Sequence, residues 1–260
     1  MTRQTRNTRR GPRMSNAHKR AGFTLIELMI VVAVIAIIAA MAIPKMLSAR
    51  LAANEAAAIS TMRSISTGEA CFRSTGVVDS DADGAGEFGY LAELAGAVPM
   101  RVSAGGVGAA GAALPATTDI LNPSILPPQL GAVQNGIVAR SGYFYQLWLP
   151  DATYGGIPEE ANGGCVAGPF PDGNTGEVAW ACYAWPMEAG STGNRAFFVN
   201  QEGDVLGCPN RQVPQYTGDP ANGGIAPNYD EALLSAGDMS SHYREGVPGG
   251  ADGSSWALID

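Results

Sequence analysis

The sequence predicts an α+β fold, in which one long N-terminal helix packs on a small antiparallel β-sheet joined by long glycine-rich loops. Three observations predict it. A continuous apolar run from Phe23 to Ile43 passes directly into an alanine-rich stretch with no glycine before Gly68. Three later segments, SGYFYQLWLP, EVAWACYAWP and RAFFVNQEGDVLG, crowd aromatic and aliphatic residues at strand spacing. Glycine supplies 34 of 260 residues, nearly twice its usual share of about 7%. Most of it follows Gly68, so short elements must be joined by long loops.

Taken in order, residues 1–22 are a basic leader and residues 23–43 an apolar helix of membrane-spanning length. Residues 44–70 continue that helix in amphipathic form. Leu47, Leu51, Ala58, Met62 and Ile65 follow at steps of 4, 7, 4 and 3 and share one face. The helix is expected from about Thr24 to about Thr67. Pro44 lacks an N–H and crowds the carbonyl of Ala40, so a kink or weak point is expected there. Residues 71–260 form the body. Phe88–Gly96 reads as a short helix ended by glycine, residues 103–130 as an irregular crossover, and RAFFVNQEGDVLG as two strands joined at Gln201-Glu202-Gly203. The tail from Pro209 is loop, with one helical turn expected at Tyr229–Gly237.

Charge places the body. The first 22 residues hold seven Lys or Arg and no acid; without them, nine basic side chains face 24 acidic ones, a formal charge of −15. Such a body does not seek nucleic acid through its bulk charge. A basic segment before one apolar run is the positive-inside pattern, which keeps the leader cytoplasmic and sends the body across the inner membrane. Four cysteines, Cys71, Cys165, Cys182 and Cys208, lie on the exported side and are disulfide candidates with three possible connectivities. No C-x-x-C occurs, so a zinc site is not expected.

One residue contradicts a plain anchor. Glu27 puts a carboxylate inside the apolar run, where it is costly unless paired or neutralised. Basic leader, Gly22-Phe23-Thr24-Leu25-Ile26-Glu27, apolar helix and Pro44 together resemble the N-terminus of type IV pilins and of type II secretion pseudopilins. The resemblance is specific over Lys19–Thr67, about a fifth of the chain. It implies that a prepilin peptidase cuts between Gly22 and Phe23 and methylates the new amine of Phe23. It also makes Glu27 and Pro44 assembly residues, and implies an inner-membrane assembly platform and self or homologous pilin-like subunits as partners. Four helical residues at about 1.5 Å each separate the Phe23 amine and Glu27 of one chain by roughly 6 Å. A neighbour displaced along the axis can bring its amine against Glu27, a head-to-tail contact that generates a helical filament. In the body, Asp79–Gly96, Gly142–Pro150 and Tyr183–Leu206 resemble pilin-like proteins of type II secretion, so a pseudopilin is expected. A type IV pilin for adhesion or motility and a singly anchored periplasmic binding protein are the alternatives.

Two further clusters bear on chemistry. Asp79, Asp81 and Asp83 alternate, with Gly84 sixth and Glu87 ninth, as in the first half of an EF-hand-like calcium loop. The twelfth position is Tyr90, so Glu87 or backbone carbonyls must supply the missing oxygens. Calcium is thus a candidate ligand, and no cofactor is required. Catalysis has little to work with: after the leader there is one Lys, Lys45, and one His, His242, and neither G-x-S-x-G nor H-E-x-x-H occurs. An enzyme is not expected. Trp148, Trp180, Trp185, Tyr143, Tyr145 and Tyr183 are assigned to the core rather than to a binding shelf.

Overall fold

The computed structural model describes residues 22–101, 120–165, 168–246 and 253–259. The leader up to residue 21, and residues 103–119 of the expected crossover, lie outside the described residues. Helix α1 spans Leu25–Thr75 and is assigned without a break through Pro44. The chain divides into two compact units, Met1–Lys45 and Met46–Asp260, and the division falls one residue past Pro44. The apolar side chains of the first unit, from Phe23 to Ile43, are exposed.

α1 runs eight residues beyond the expected end near Thr67, because packing overrides the propensity of Gly68. A Cβ at Gly68 would meet Leu126 Cδ2 at 2.8 Å, so the missing side chain lets Leu126 close on the helix. The helix stops at Gly76, whose φ of 60° provides the left-handed residue that ends many helices. On the face expected from the sequence, Ala58, Met62 and Ile65 are fully buried and Phe72 extends the stripe, whereas Leu47 is exposed.

The body's sheet has seven antiparallel strands: β1 (Val138–Arg140), β2 (Tyr143–Pro150), β3 (Gly156–Pro158), β4 (Ala181–Pro186), β5 (Ala196–Asn200), β6 (Leu206–Cys208) and β7 (Ala257–Leu258). Their order is β1-β2-β4-β5-β6-β7, with β3 also on β2. In register, Leu147 faces Cys182 and Cys182 faces Val199. Both faces are covered, which explains why the strands are apolar on both sides. Tyr143, Tyr145, Leu147, Cys182, Phe197 and Val199 pack towards the α1 stripe. On the other face, Trp148, Tyr183, Trp185 and Phe198 meet the tail residues Tyr216, Leu233, Met239 and Trp256. The six aromatics assigned to the core are all buried.

Among the described residues the body also has two short α-helices, α2 (Leu91–Leu94) and α3 (Gly173–Gly176), the latter capped by the Asp172 side chain. The helical turn expected at Tyr229–Gly237 does not form. There the Ala232 N–H donates to the Tyr183 hydroxyl at 2.9 Å, and Leu233 bridges Tyr243 instead.

A buried polar knot ties α1 to the segment around α2. Arg101, 2% exposed, reaches Glu93 with Nε and Glu87 with Nη1, both at 3.1 Å, and lies over the Tyr90 ring. Burial opposes its charge, but Glu93 and Glu87 outweigh that and hold the guanidinium charged. Glu69 of α1 accepts from the Gly89 N–H at 3.0 Å. Glu159 accepts from the N–H groups of Ala92 and Gly164, each at 2.9 Å. The second oxygens of Glu69 and Glu159 have no partner among the described residues, which suits protonated carboxyls. Burial raises Glu69 well above the ordinary range and pushes Glu159 up to about 8. Between the ordinary carboxylate range and these values the folded body binds protons that the unfolded chain has released. Its stability therefore falls as pH rises through that window and levels off above it. Urea unfolding of the body from Met46 should give a lower midpoint at about pH 8.5 than at about pH 5. Glu159→Gln should flatten that dependence and stabilise the body at the higher pH by on the order of 3 kcal/mol.

Candidate functional site

The start of α1 is built around Glu27. Thr24 precedes the first helical residue, and its Oγ1 accepts from the Glu27 N–H at 3.3 Å. The Glu27 carboxylate reaches back to the Thr24 N–H at 3.5 Å and to its hydroxyl at 3.4 Å. This is a capping box, two side chains satisfying two of the backbone donors that a helix start leaves open. The first intrahelical bond, Leu28 N–H to the Thr24 carbonyl, follows at 3.2 Å. A carboxylate in the first turn is also favoured by the helix dipole. Phe23 is 79% exposed just ahead of the box, and nothing lies within 4 Å of where a Cβ would stand on Gly22. Scission between Gly22 and Phe23 would leave every atom of the box in place, because the Phe23–Thr24 peptide keeps the Thr24 N–H.

The acidic loop lies just past the other end of α1. Ligand oxygens of Asp79, Asp81 and Asp83 all lie within 4.8 Å of one another. Asp79 accepts from the N–H groups of Asp83 and Gly84 at 3.2 and 3.0 Å. Glu87 does not join them, which corrects its expected place in the set. It is buried, its Oε2 is taken by Arg101, and its Oε1 accepts from the Ser80 N–H. Glu177 stands near the aspartates instead. Partial desolvation, then the charges of Asp83 and Asp81, raise its carboxyl above the ordinary range. Burial and the neighbouring carboxylates do the same for Asp81. The loop offers a hard cation three convergent carboxylates, and the rest of the six to eight oxygens that calcium takes must come from backbone or water.

The disulfide expectation is corrected: all four cysteines are free. Cys182 and Cys208 bury on opposite faces of the sheet and cannot meet, and Cys71 is exposed on α1. The buried three behave as small apolar side chains. His242 is exposed and faces Glu202 at 2.7 Å, with no nucleophile in that pair.

Residues 17–43 match the prokaryotic N-terminal methylation motif. A type IV major pilin protein, PilA, of Myxococcus xanthus is 38% identical over 86 residues, which are 33% of this chain and 38% of that pilin. Over part of its length the chain is similar to a type IV pilin. No solved structure matches. In this chain, α1 is, among the described residues, the one helix long and apolar enough to cross a membrane. The sheet-and-helix body has the α+β architecture expected from the sequence. The match spans well under half of the relative's length.

Proposed function

We propose that this chain is a structural subunit of a type IV pilus-like filament, held in the inner membrane by α1 until a platform there adds it to the filament. The observation that carries the proposal is the run Gly22 to Glu27, in which a cleavable glycine, an exposed Phe23 and a capped carboxylate open a helix of 51 residues. Cleavage by a prepilin peptidase would turn Phe23 into a cation. Glu27 of an adjacent subunit would then receive that amine, so each subunit neutralises the next. A pseudopilus of type II secretion is the assembly that the body's strands and acidic loop favour. A surface type IV pilus is the second reading, favoured by the name of the Myxococcus relative. Shearing separates them: in a strain with native gene dosage, filaments released from the cell surface speak for the pilus, whereas loss of secreted enzymes on deletion without surface filaments speaks for the pseudopilus.

Processing is tested at Gly22. Since the folded chain leaves open space there, Gly22→Val should leave the protein folded and inserted but uncut. Mass spectrometry of the wild-type membrane fraction should find methylated Phe23 at the N-terminus. An intact leader in cells with active peptidase would overturn the assignment.

Glu27 is tested with two substitutions. Glu27→Gln keeps an oxygen for the Thr24 N–H and removes the charge, whereas Glu27→Ala removes both. Both variants should insert and be cut, and both should fail to assemble, because an incoming amine would lack its carboxylate, a loss of roughly 3 to 5 kcal/mol. Normal filaments from Glu27→Gln would confine the residue to capping.

Calcium belongs to the same proposal, held by Asp79, Asp81 and Asp83. It would relieve the repulsion among carboxylates that cluster within 4.8 Å. The body from Met46 should melt higher in about 1 mM calcium than in chelator. Asp81→Ala with Asp83→Ala should abolish the difference, and equal melting of the wild type in both buffers would remove calcium from the picture.

A further inference from the structure

The buried knot around α2 holds more carboxylate than its cation can balance. Glu69, Glu87, Glu93 and Glu159 are each at most 3% exposed, and Arg101 is, among the described residues, the one buried cation. Arg101 is committed to two of the four, Glu87 and Glu93. Those two also use their other oxygens, Glu87 on the Ser80 N–H and Glu93 on the Tyr90 N–H at 2.8 Å. Glu69 and Glu159 differ. Each keeps one buried carboxyl oxygen with no hydrogen-bond partner among the described residues. With all four ionised, four negative charges would face one positive charge and no water would spread the excess. A buried charge without a partner is too costly to keep. Charge balance by itself therefore makes Glu69 and Glu159 the two that hold protons.

Both of these carboxyls grip the same short segment. Glu69 reaches from α1 to the Gly89 N–H, and Glu159 reaches from the end of β3 to the Ala92 N–H. Besides Arg101 and Glu93, the titratable groups that act on the pair are Tyr90 on the gripped segment and Cys182 on β4, with Cys165 and its neighbour Glu160 one step further out. Burial keeps the Tyr90 hydroxyl and both thiols neutral. Arg73, on the same helix as Glu69, is exposed and lies over Phe88. None of these groups gives either carboxyl a buried counter-charge.

The closed arrangement leaves no room for water around the grip. A Cβ on Gly89 would stand 2.7 Å from Phe72 and 2.5 Å from Leu94, and a Cβ on Gly163 would stand 2.7 Å from the Ala92 side chain. Hydrating an ionised Glu69 or Glu159 therefore requires the segment to lift. The opposite face of the sheet, where Trp148, Tyr183, Phe198 and Cys208 pack, includes none of the knot's groups. That face can stay packed while the knot takes up water.

We propose that Glu69 and Glu159 form a proton-operated lock on the segment from Phe88 to Leu94. Carrying protons, they hold it against α1 and the loop after β3; losing them, they release it while the far face of the sheet stays folded. The closed form binds two protons that the open form gives up, so opening gains with rising pH above the ordinary carboxylate range and stops gaining once both groups are ionised in the closed form too. The surface uncovered is apolar, Phe88, Leu91 and Leu94 with Phe72 of α1, and it includes the Cys165 thiol close to Tyr90. The body thus answers the pH of its compartment at the edge where its long helix is held. The lock belongs to the folded body and does not depend on the filament reading.

Three free thiols report on it in the full chain held in detergent micelles. Cys71 is exposed and gives the unprotected rate of alkylation at each pH, Cys165 lies on the knot's side of the sheet, and Cys208 lies on the far face. Divided by the Cys71 rate, labelling of Cys165 by iodoacetamide should rise by roughly tenfold or more between about pH 6 and about pH 8.5, and at the higher pH should exceed that of Cys208 by a similar factor. Glu69→Gln with Glu159→Gln keeps acceptors for the gripped N–H groups and removes both titrations. In that variant Cys165 labelling relative to Cys71 should no longer change with pH, while continued protection of Cys208 shows that the chain is folded. Equal labelling of Cys165 and Cys208 in the wild type at about pH 8.5 would mean that only whole-body unfolding exposes them, and would overturn the lock. So would a wild-type ratio of Cys165 to Cys71 that is flat with pH, or a pH dependence that survives in the folded double variant. Should the double variant fail to fold, the two wild-type ratios decide the matter.

Discussion

One helix has to satisfy two solvents, and the rest of the structure follows from that constraint. The first half of α1 is apolar on every side, as a helix in hydrocarbon must be, because lipid offers no preferred face. Its second half must bury one stripe and show water the rest. Ala58, Met62, Ile65 and Phe72 form that stripe, and the sheet presents Tyr145, Leu147, Cys182 and Val199 to meet it. Each buried side chain of this size contributes about 1.5 to 3 kcal/mol. The tail then covers the other face of the sheet, so the strands are apolar on both sides and the polar groups are driven into loops.

The loops around α2 hold together by a different means. Glu87, Glu93 and Arg101 lie within one short stretch, and the guanidinium bridges both carboxylates across it. Glu69 and Glu159 bring α1 and the β3 loop to the same place, each accepting backbone N–H groups that no sheet would satisfy. A buried ion pair adds little net stability over well-packed apolar groups, but removing one partner is severe. The knot thus fixes geometry beside the apolar side chains of Phe88, Tyr90, Leu91 and Leu94.

Legibility in the sequence followed the strength of the local signal. The N-terminal motif is read residue by residue, because hydrocarbon makes a single carboxylate conspicuous. The strands β2, β4 and β5 are legible from their aromatic density and β6 from the Gln201-Glu202-Gly203 turn before it, whereas β1, β3 and β7, at two or three residues each, are too short to carry a period and have no such signal. The end of α1 is missed because Gly68 reads as a stop until Leu126 is seen to need its space. Glu87 is misplaced for a similar reason: spacing alone puts it with the aspartates, but Arg101, fourteen residues on, turns it inward. Thr24-Leu25-Ile26-Glu27 also fits the capping-box pattern, a signal overlooked when Glu27 is weighed only as a charge in lipid.

If subunits meet as proposed, that capping box bears on how firmly they would hold one another. A carboxylate already accepting donors from Thr24 would not be bare while its subunit waited in the bilayer. On meeting a neighbour's amine it would exchange partners, and the gain would be the difference between two sets of contacts rather than the whole of one. An exchange of that kind is shallow in free energy and easily run backwards. A subunit built this way could be drawn out of a filament and returned to the membrane with its first helical turn still closed.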